Sequence, residues 1–542
     1  MSYFSELLAS FSRQAGMNSP EIARYCGLDR VTVYRFIKGK TLPKDRETVL
    51  RLSEVLQLTT DERESLMESY ECMRLGPRIY WERKYISSFM GSFSGETSAI
   101  PMIQYDVEGI EDSRRDSMLI SGRASTLKRI QREILEEGNT SKHGIEIIMR
   151  PSITPVMDML LSAGKKNREL QVKHLIPITT NFFSASYETA SLDDNSIVPQ
   201  LSDSIPGLGS PSQLLQSPID GDINDSPGLL NKEKYPDRGQ RWDYELLQSF
   251  FKIISLCAEG FEYMPSYFYS RHTRHSTFPS YTNLLITENS VIMFTDDLEE
   301  SIFFSEKEKV DSFRNKFRKI ANDKPALSYT FREVTDFMEN MNNVILKRDK
   351  KNSDVEYYYC SQPCIIPIIT DEIMRKHLRM DLVTEMQNDN AHVLHNIYNY
   401  VNSIRSRYTD SDYNQICYMP EGGIRYFLKT GRFAEVPTEM YTPLTEAERR
   451  EMILKLAGQD NFKFRITRNE MSSPEGMLCI EVMEKALFLE FLVPGKGMCF
   501  LYINEPGILL AFRRFFSGLS DENLYSEEES KEILRRVAKE EI

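Results

Sequence analysis

The chain has 542 residues, of which 41% are hydrophobic and 27% are charged, a composition typical of a folded protein with several domains. No stretch approaches the ~18 consecutive apolar residues of a membrane-spanning helix, and the first residues lack the charged start and apolar run of a secretion signal. These features predict a cytoplasmic protein with no membrane association.

Charge is unevenly distributed along the chain. The net charge is −13, which argues against nucleic-acid binding by the chain as a whole. Residues 1–58, however, hold nine Lys and Arg against six Asp and Glu, so a region of net charge +3 precedes a body of net charge −16. The sequence therefore predicts a small basic module that binds phosphates, joined to an acidic body that does not.

Residues 1–75 are predicted to form an all-α domain of five helices. Apolar residues at helical spacing from Phe4 to Phe11 predict the first helix. Ser19, as N-cap, and Pro20 predict the start of a short second helix, and Gly27 predicts the turn that follows it. A fourth helix is predicted over about 45–56, and a fifth is predicted with Thr60 as its N-cap.

The third helix is predicted over residues 30–38, with Asp29 as its N-cap and Gly39 closing it. Val33 and Phe36 are spaced to lie on its buried side. Its basic residues and Tyr34 fall elsewhere, which leaves them available for a ligand.

The segment 22–40, followed by Pro43, resembles the helix-turn-helix of the Cro/lambda-repressor-like (Xre-type) family of transcriptional regulators. The matching features are an apolar-Ala pair, a Gly-apolar turn, a Thr-Val step, an apolar residue three positions on and a Gly-Lys pair: Ile22-Ala23, Gly27-Leu28, Thr32-Val33, Phe36 and Gly39-Lys40. Asp29 stands where the family often has Ser. Ile37 stands where a polar residue is more usual, which suggests packing against another domain.

This resemblance covers about residues 4–73 and implies that the third helix enters the major groove of double-stranded DNA. Arg30 is predicted to donate to guanine, and Val31 and Thr32 to contact thymine methyl groups. The full set of predicted DNA contacts is Arg30, Val31, Thr32, Tyr34, Arg35, Lys38, Lys40 and Lys44. The competing interpretation is the solvated face of a small protein-binding module.

After a connector, the remaining chain is predicted to be a mixed α/β sensor region. Strands and helices alternate over 121–177, and a hairpin and helix at 283–320 have counterparts at 477–519, which suggests two related halves. The predicted divisions are a connector (76–110), an α/β sensor domain (111–350) with a disordered insertion (184–236), a second α/β domain (351–520) and a charged tail (521–542).

The sequence contains no Gly-x4-Gly-Lys-Ser/Thr phosphate loop, no Gly-x-Gly-x-x-Gly after a strand and no Gly-x-Ser-x-Gly elbow. Two strand–helix halves would also suit a phospholipase-D-like scaffold. That family needs His-x-Lys-x4-Asp twice, and none of the seven histidines fits. We therefore predict no catalytic residues, no metal and no cofactor.

Three smaller features call for separate interpretation. Arg271, His272, Arg274 and His275 form a candidate anion-binding or ligand-binding cluster near three tyrosines, although an exposed loop would look the same. His392 and His395 share a predicted helix face, which fits an ordinary polar surface better than a metal site. Cys360 and Cys364 suggest either a redox pair or two buried thiols.

The sequence thus predicts a DNA-binding transcriptional regulator that binds its operator as a homodimer and responds to a small-molecule or peptide effector. An enzyme or defence-type effector, regulated through its own DNA-binding domain, is the alternative. A peptide-sensing body of helical repeats is a third hypothesis, against which the strand-rich segments count.

Overall fold

The computed structural model describes residues 3–93, 117–140, 144–179, 245–270, 281–331, 334–346, 355–379, 398–406, 414–432, 434 and 441–540. The chain divides into two compact units, and within the described residues the first extends to Ile86 and the second begins at Ser87. The predicted insertion at 184–236 and residues 94–110 of the predicted connector lie outside the described residues.

The first unit is helical. Its helices are α1 (Tyr3–Gln14), α2 (Ser19–Cys26), α3 (Arg30–Ile37), α4 (Arg46–Val55), α5 (Thr60–Leu75) and the first part of α6 (Pro77–Gly91). Each helix from α1 to α5 places apolar residues in one shared core, in which Phe4 and Tyr70 meet edge to face with ring centroids 6.0 Å apart. A helical N-terminal region therefore precedes the α/β part of the chain, as predicted.

Within its described residues, the second unit contains two mixed sheets of seven strands each. The first sheet consists of β1 (Ser117–Ser121), β2 (Ile145–Ile148), β3 (Gln171–Thr179), β4 (Glu262–Ser270), β5 (Asn283–Ile286), β6 (Val291–Phe294) and β7 (Glu300–Phe304). The second consists of β8 (Ser328–Phe331), β9 (Glu356–Cys360), β10 (Gln415–Pro420), β11 (Phe464–Thr467), β12 (Cys479–Val482), β13 (Leu487–Val493) and β14 (Gly497–Ile503).

The two sheets have the same topology. The strand order is β1-β7-β6-β5-β2-β3-β4 in the first and β8-β14-β13-β12-β9-β10-β11 in the second. In each, the three strands at one end are parallel and the remaining neighbours are antiparallel. The two related halves suggested by the sequence are therefore present in the strand topology, and the sheets contradict a body built of helical repeats.

The register shows which positions of the two halves correspond. Ile286 pairs with Val291 across the β5–β6 hairpin, and Val482 pairs with Leu487 across the β12–β13 hairpin. Both connections have the same length, so Asn283 at the start of β5 corresponds to Cys479 at the start of β12.

Helices flank the sheets. In the first half they are α7 (Arg123–Thr140), α8 (Thr154–Lys166), α9 (Glu245–Ala258) and α10 (Lys307–Ala321). In the second half they are α11 (Val334–Leu346), α12 (Asp371–His377), α13 (Glu421–Thr430), α14 (Glu446–Ala457), α15 (Pro506–Ser517) and α16 (Glu527–Val537).

The second half extends beyond residues 351–520, the range expected from the sequence. Strand β8 supplies its outer strand at 328–331. Helix α16, in a segment expected to be either a charged amphipathic helix or a tail, packs Leu534 and Val537 into the core of this half, and both side chains are fully buried. The reason is its amphipathic pattern, which gives an otherwise charged helix one apolar stripe.

Contacts between the two halves involve β4, the residue before β8 and helix α15. The Leu327 amide donates to the Pro265 carbonyl at 2.8 Å, and the Tyr269 hydroxyl donates to Glu505 Oε1 at 2.8 Å. Phe89 contacts Phe250 of the first half and Phe512 of the second. Backbone pairing and aromatic packing thus join the halves.

Candidate nucleic-acid interface

Helix α2 begins with a capping box formed by Asn18 and Glu21. Asn18 Oδ1 accepts from the Glu21 amide at 3.1 Å, and Glu21 Oε2 accepts from the Asn18 amide at 2.9 Å. The expectation that Ser19 is the N-cap is therefore wrong, because the Asn18 carboxamide reaches the third residue of the helix and Ser19 lies inside its first turn. Gly27 ends α2 with a φ of 66°, which turns the chain towards α3.

Helix α3 is capped and anchored as predicted. Asp29 Oδ2 accepts from the Val31 amide at 2.8 Å and from the Thr32 amide at 3.2 Å. Val33 is fully buried and Phe36 is 4% exposed, so both hold the helix against the core. This arrangement fixes the direction in which the remaining side chains of α3 project.

The eight predicted DNA contacts all lie at the surface of the unit. Arg30, Arg35, Lys38, Lys40 and Lys44 are exposed, and Thr32 is half-buried. Val31 is 53% exposed and Tyr34 is 45% exposed, and the Lys38 ammonium lies 5.9 Å from the centre of the Tyr34 ring. The outer side of α3 therefore combines cations with exposed apolar surface.

Arg24 and Tyr25 extend this surface and were not singled out from the sequence. Tyr25 is 60% exposed. The Arg24 guanidinium lies 4.7 Å from the centre of the Tyr25 ring, and Arg24 Nη2 donates to the Tyr25 hydroxyl at 2.7 Å. The available signal in the sequence was an aromatic residue next to a basic one, just before the Gly27 turn.

Ile37 packs within its own unit, whereas the sequence suggested packing against another domain. It is half-buried and packs against the core of its own unit. It directly follows Phe36 on α3, so it lies at the border of the buried stripe, where an apolar side chain gains from partial burial.

Asp45 places a carboxylate next to Lys44. It caps α4 by accepting from the Thr48 amide at 2.8 Å and from the Thr48 hydroxyl at 2.7 Å. The Thr48 hydroxyl and amide hydrogen bonds hold the pKa of Asp45 below its ordinary value. The carboxylate thus stays ionised and neutralises a helix N-terminus.

The cluster of Arg271, His272, Arg274 and His275 lies outside the described residues, as do His392 and His395. The tyrosines near the first cluster are described. Tyr281 donates to Glu300 Oε2 at 2.9 Å, and Tyr267 donates to the Asn504 carbonyl at 3.2 Å. Burial raises the pKa of both phenols to about 12. These two hydroxyls therefore act as hydrogen-bond donors within the fold.

Within the described parts of the chain, no three or more His, Cys, Asp or Glu residues are grouped to hold a metal ion. Cys360 and Cys364 are both buried. The sulfur of Cys360 lies 3.2 Å from that of Cys479, a residue that sequence reasoning did not pair with it. No helix among the described residues is both long enough and apolar enough to cross a bilayer.

Comparison with known proteins assigns no family. No protein-family model matches the chain, and no curated protein matches it. One solved structure that aligns with it, the archaeal chromatin protein TrmBL2, has 13% identity over 55% of this chain and 82% of that chain, with a TM-score of 0.18. Another, the phosphatidylserine synthase of Haemophilus influenzae Rd KW20, has 9% identity over 78% of this chain and 93% of that chain, with a TM-score of 0.20. At such TM-scores neither likeness supports a conclusion about this chain.

Proposed function

We propose that this chain is a sequence-specific DNA-binding transcriptional regulator of the Xre type, with a five-helix DNA-binding domain and an α/β body that senses a signal and dimerises. The outer side of α3 carries the proposal, because Arg30 and Arg35 lie there beside the exposed side chains of Val31 and Tyr34. Base edges in the major groove present hydrogen-bond acceptors and thymine methyl groups, so a helix that reads them needs both donors and apolar surface.

Each residue has a role in this proposal. Arg30 donates to guanine, while Val31 and Thr32 contact thymine methyl groups. Tyr34 and Arg35 contact bases or phosphates. The lysines at 38, 40 and 44 contact phosphates, which provides affinity and salt dependence without sequence preference. Arg24, at the end of α2, adds a further phosphate contact.

The short length of the recognition helix α3 is the reason to expect a dimer. Helix α3 has eight residues and covers few base pairs, so useful specificity requires a second copy on a half-site about one helical turn of DNA away. The α/β unit would supply that contact and bind a small-molecule or peptide effector. An effector that binds one arrangement of the dimer better than another would change operator affinity. The operator would in turn change effector affinity by the same factor.

A salt-titrated DNA-binding assay tests the proposal. It compares the wild type with Arg30→Ala/Arg35→Ala on the DNA upstream of the gene and on a random duplex. Loss of the Arg30 contact with guanine, worth about 1–3 kcal/mol, together with the Arg35 contact to a base or phosphate, predicts a fall in specific affinity of about fivefold or more, while the weaker binding to random DNA changes less. Arg63→Ala removes a matched exposed charge from α5 and should leave the preference intact.

Equal binding of the wild type to both duplexes, or no binding at any salt concentration, contradicts the proposal. The enzyme or defence-type effector would then become the leading hypothesis, with the first unit as a docking module.

A further inference from the structure

Cys360 and Cys479 face each other between two central strands of the second half. They are opposite one another in the antiparallel pairing of β9 with β12, and their sulfur atoms are 3.2 Å apart. The Ser361 amide donates to the Leu478 carbonyl at 2.8 Å, which makes the two cysteines a non-hydrogen-bonded pair. In such pairs the Cα atoms lie about 4.5 Å apart and the side chains approach most closely.

We propose that this pair is an oxidation site, at which a peroxide converts the two thiols into a cross-strand disulfide. Disulfides join Cα atoms that are ~4.4–6.8 Å apart, with sulfurs about 2.05 Å apart. The sulfurs therefore need to approach by only about 1 Å, and the strands keep their register. The proposal is independent of DNA binding.

The fold does not require a thiol at the position of Cys479. In the first half, Asn283 stands where Cys479 stands in the second. Asn283 Oδ1 accepts from the Arg150 amide and Nδ2 donates to the Phe294 carbonyl, each at 3.2 Å. The same place in the duplicated sheet is thus filled by amide hydrogen bonds in one half and by a thiol in the other.

A metal does not account for the thiol pair. No third His, Cys, Asp or Glu joins these two cysteines to form a metal-binding group within the described residues. Two thiols already in contact have one common joint reaction, which is oxidation.

The reaction balances with one peroxide. One cysteine loses its thiol proton, its thiolate attacks a peroxide oxygen, and the O–O bond breaks. A sulfenic acid forms, and the departing hydroxide takes up the released proton to give one water. The second sulfur then attacks the sulfenic sulfur and the S–O bond breaks. The S–S bond forms, the second thiol proton leaves with the hydroxyl, and a second water is released. Cys360 is 0% and Cys479 1% exposed, so peroxide reaches them through local opening and the reaction is slow compared with that of an exposed thiolate.

Peptide mapping of the full-length reduced chain after incubation with hydrogen peroxide tests the site. Following alkylation in denaturant and digestion with trypsin, residues 352–375 should be joined to residues 469–485. Dithiothreitol should separate the two peptides. The cross-linked chain should unfold several degrees higher, because the bond joins residues 119 positions apart and restricts the unfolded chain.

Cys364→Ser should retain the cross-link, and Cys479→Ser should abolish it. Cys479→Val, which keeps an apolar side chain in the core, repeats the second test if serine impairs folding. Circular dichroism verifies that each variant is folded. A disulfide between Cys360 and Cys364 within one peptide, or sulfinic acid at Cys360 without a cross-link, would overturn the proposal. So would full retention of both thiols in urea just below the unfolding midpoint, where local opening is frequent.

Discussion

The Tyr269 hydroxyl donates a 2.8 Å hydrogen bond to Oε1 of Glu505, 236 residues further along the chain. Tyr269 lies near the end of β4 in the first half, and Glu505 caps α15 in the second, where its Oε2 also accepts from the Ile508 amide at 2.6 Å. Glu505 is 1% exposed, and burial raises its pKa. One carboxyl thus serves both a helix cap and the junction between the halves.

Removing this hydroxyl should destabilise the second unit. Tyr269→Phe leaves the Glu505 carboxyl buried with one donor fewer, which predicts a loss of about 1–3 kcal/mol in the free energy of unfolding, measured in urea. Tyr329→Phe removes a hydroxyl from a side chain that is 49% exposed and should change the free energy by less than about 0.5 kcal/mol. Equal effects of the two variants would refute a special role for the Tyr269 contact.

The buried His174 should make stability depend on pH. Its Nδ1 lies 2.7 Å from the Tyr263 hydroxyl and its Nε2 2.9 Å from the Met149 carbonyl, which suits a neutral ring with the proton on Nε2. Burial lowers its pKa to about 4. The unfolded state, with a pKa near 6.5, binds a proton first, so stability falls as the pH decreases from about 6.5 to 4.

The expected loss from His174 is about 3 kcal/mol across that range. Urea unfolding of wild type and His174→Gln at several pH values isolates this contribution, since the other titrating groups are common to both. The wild type should lose more stability on acidification than the variant. Parallel curves would show that His174 does not titrate between the folded and unfolded states.

Gly423 should not tolerate a side chain. A Cβ at this position, in the first turn of α13, would lie 2.0 Å from the Ser361 carbonyl oxygen and 3.1 Å from the Gln362 Cα. Because both contacts are with backbone, Gly423→Ala should cost about 1–3 kcal/mol. Gly138 offers a matched helical control, since its Cβ would meet Ala163 at an ordinary 3.5 Å. Gly138→Ala should be neutral or stabilising by up to about 1 kcal/mol, measured by thermal unfolding.

The Asp29 cap should determine the order of α3. Asp29→Ala leaves the Val31 and Thr32 amides without the carboxylate that accepts from both, at a cost of about 1 kcal/mol. Hydrogen exchange over residues 30–37 should then accelerate roughly fivefold. Glu64→Ala, an exposed acid on α5, is the control and should leave that exchange unchanged. Unaltered exchange in Asp29→Ala would mean that core packing alone holds the helix.

Local patterns were sufficient to predict the first five helices of the first unit, but the first part of α6, which also belongs to this unit, was assigned to the connector. The apolar spacing around Phe4, the Asp29 cap and the Gly27 turn each act within a few residues, and the helices begin and end close to the predicted positions. The β5–β6 hairpin was also predicted from its own residues. The exceptions were two N-caps, Asn18 instead of Ser19 and Thr59 instead of Thr60. In each case two neighbouring residues both suit a cap, and side-chain reach decides between them.

The second unit was predicted in outline only. The predicted insertion at 184–236 separates β3 from β4, one of the two strands with which it pairs, and no local signal indicates that 262–270 lies parallel to 171–179. Strand β9 was missed because its three tyrosines do not alternate with polar residues, as both faces of this central strand are buried.

By itself, therefore, the sequence determined a basic helical unit ahead of an acidic α/β body, because charge, helix caps and hydrophobic periodicity are properties of neighbouring residues. Only the tertiary structure decided that the two sheets share one topology, that Tyr269 meets Glu505, and that Cys360 faces Cys479 rather than pairing with Cys364. Such contacts join residues more than a hundred positions apart, and they arise when separate strands align to bury apolar surface and satisfy their backbone hydrogen bonds together.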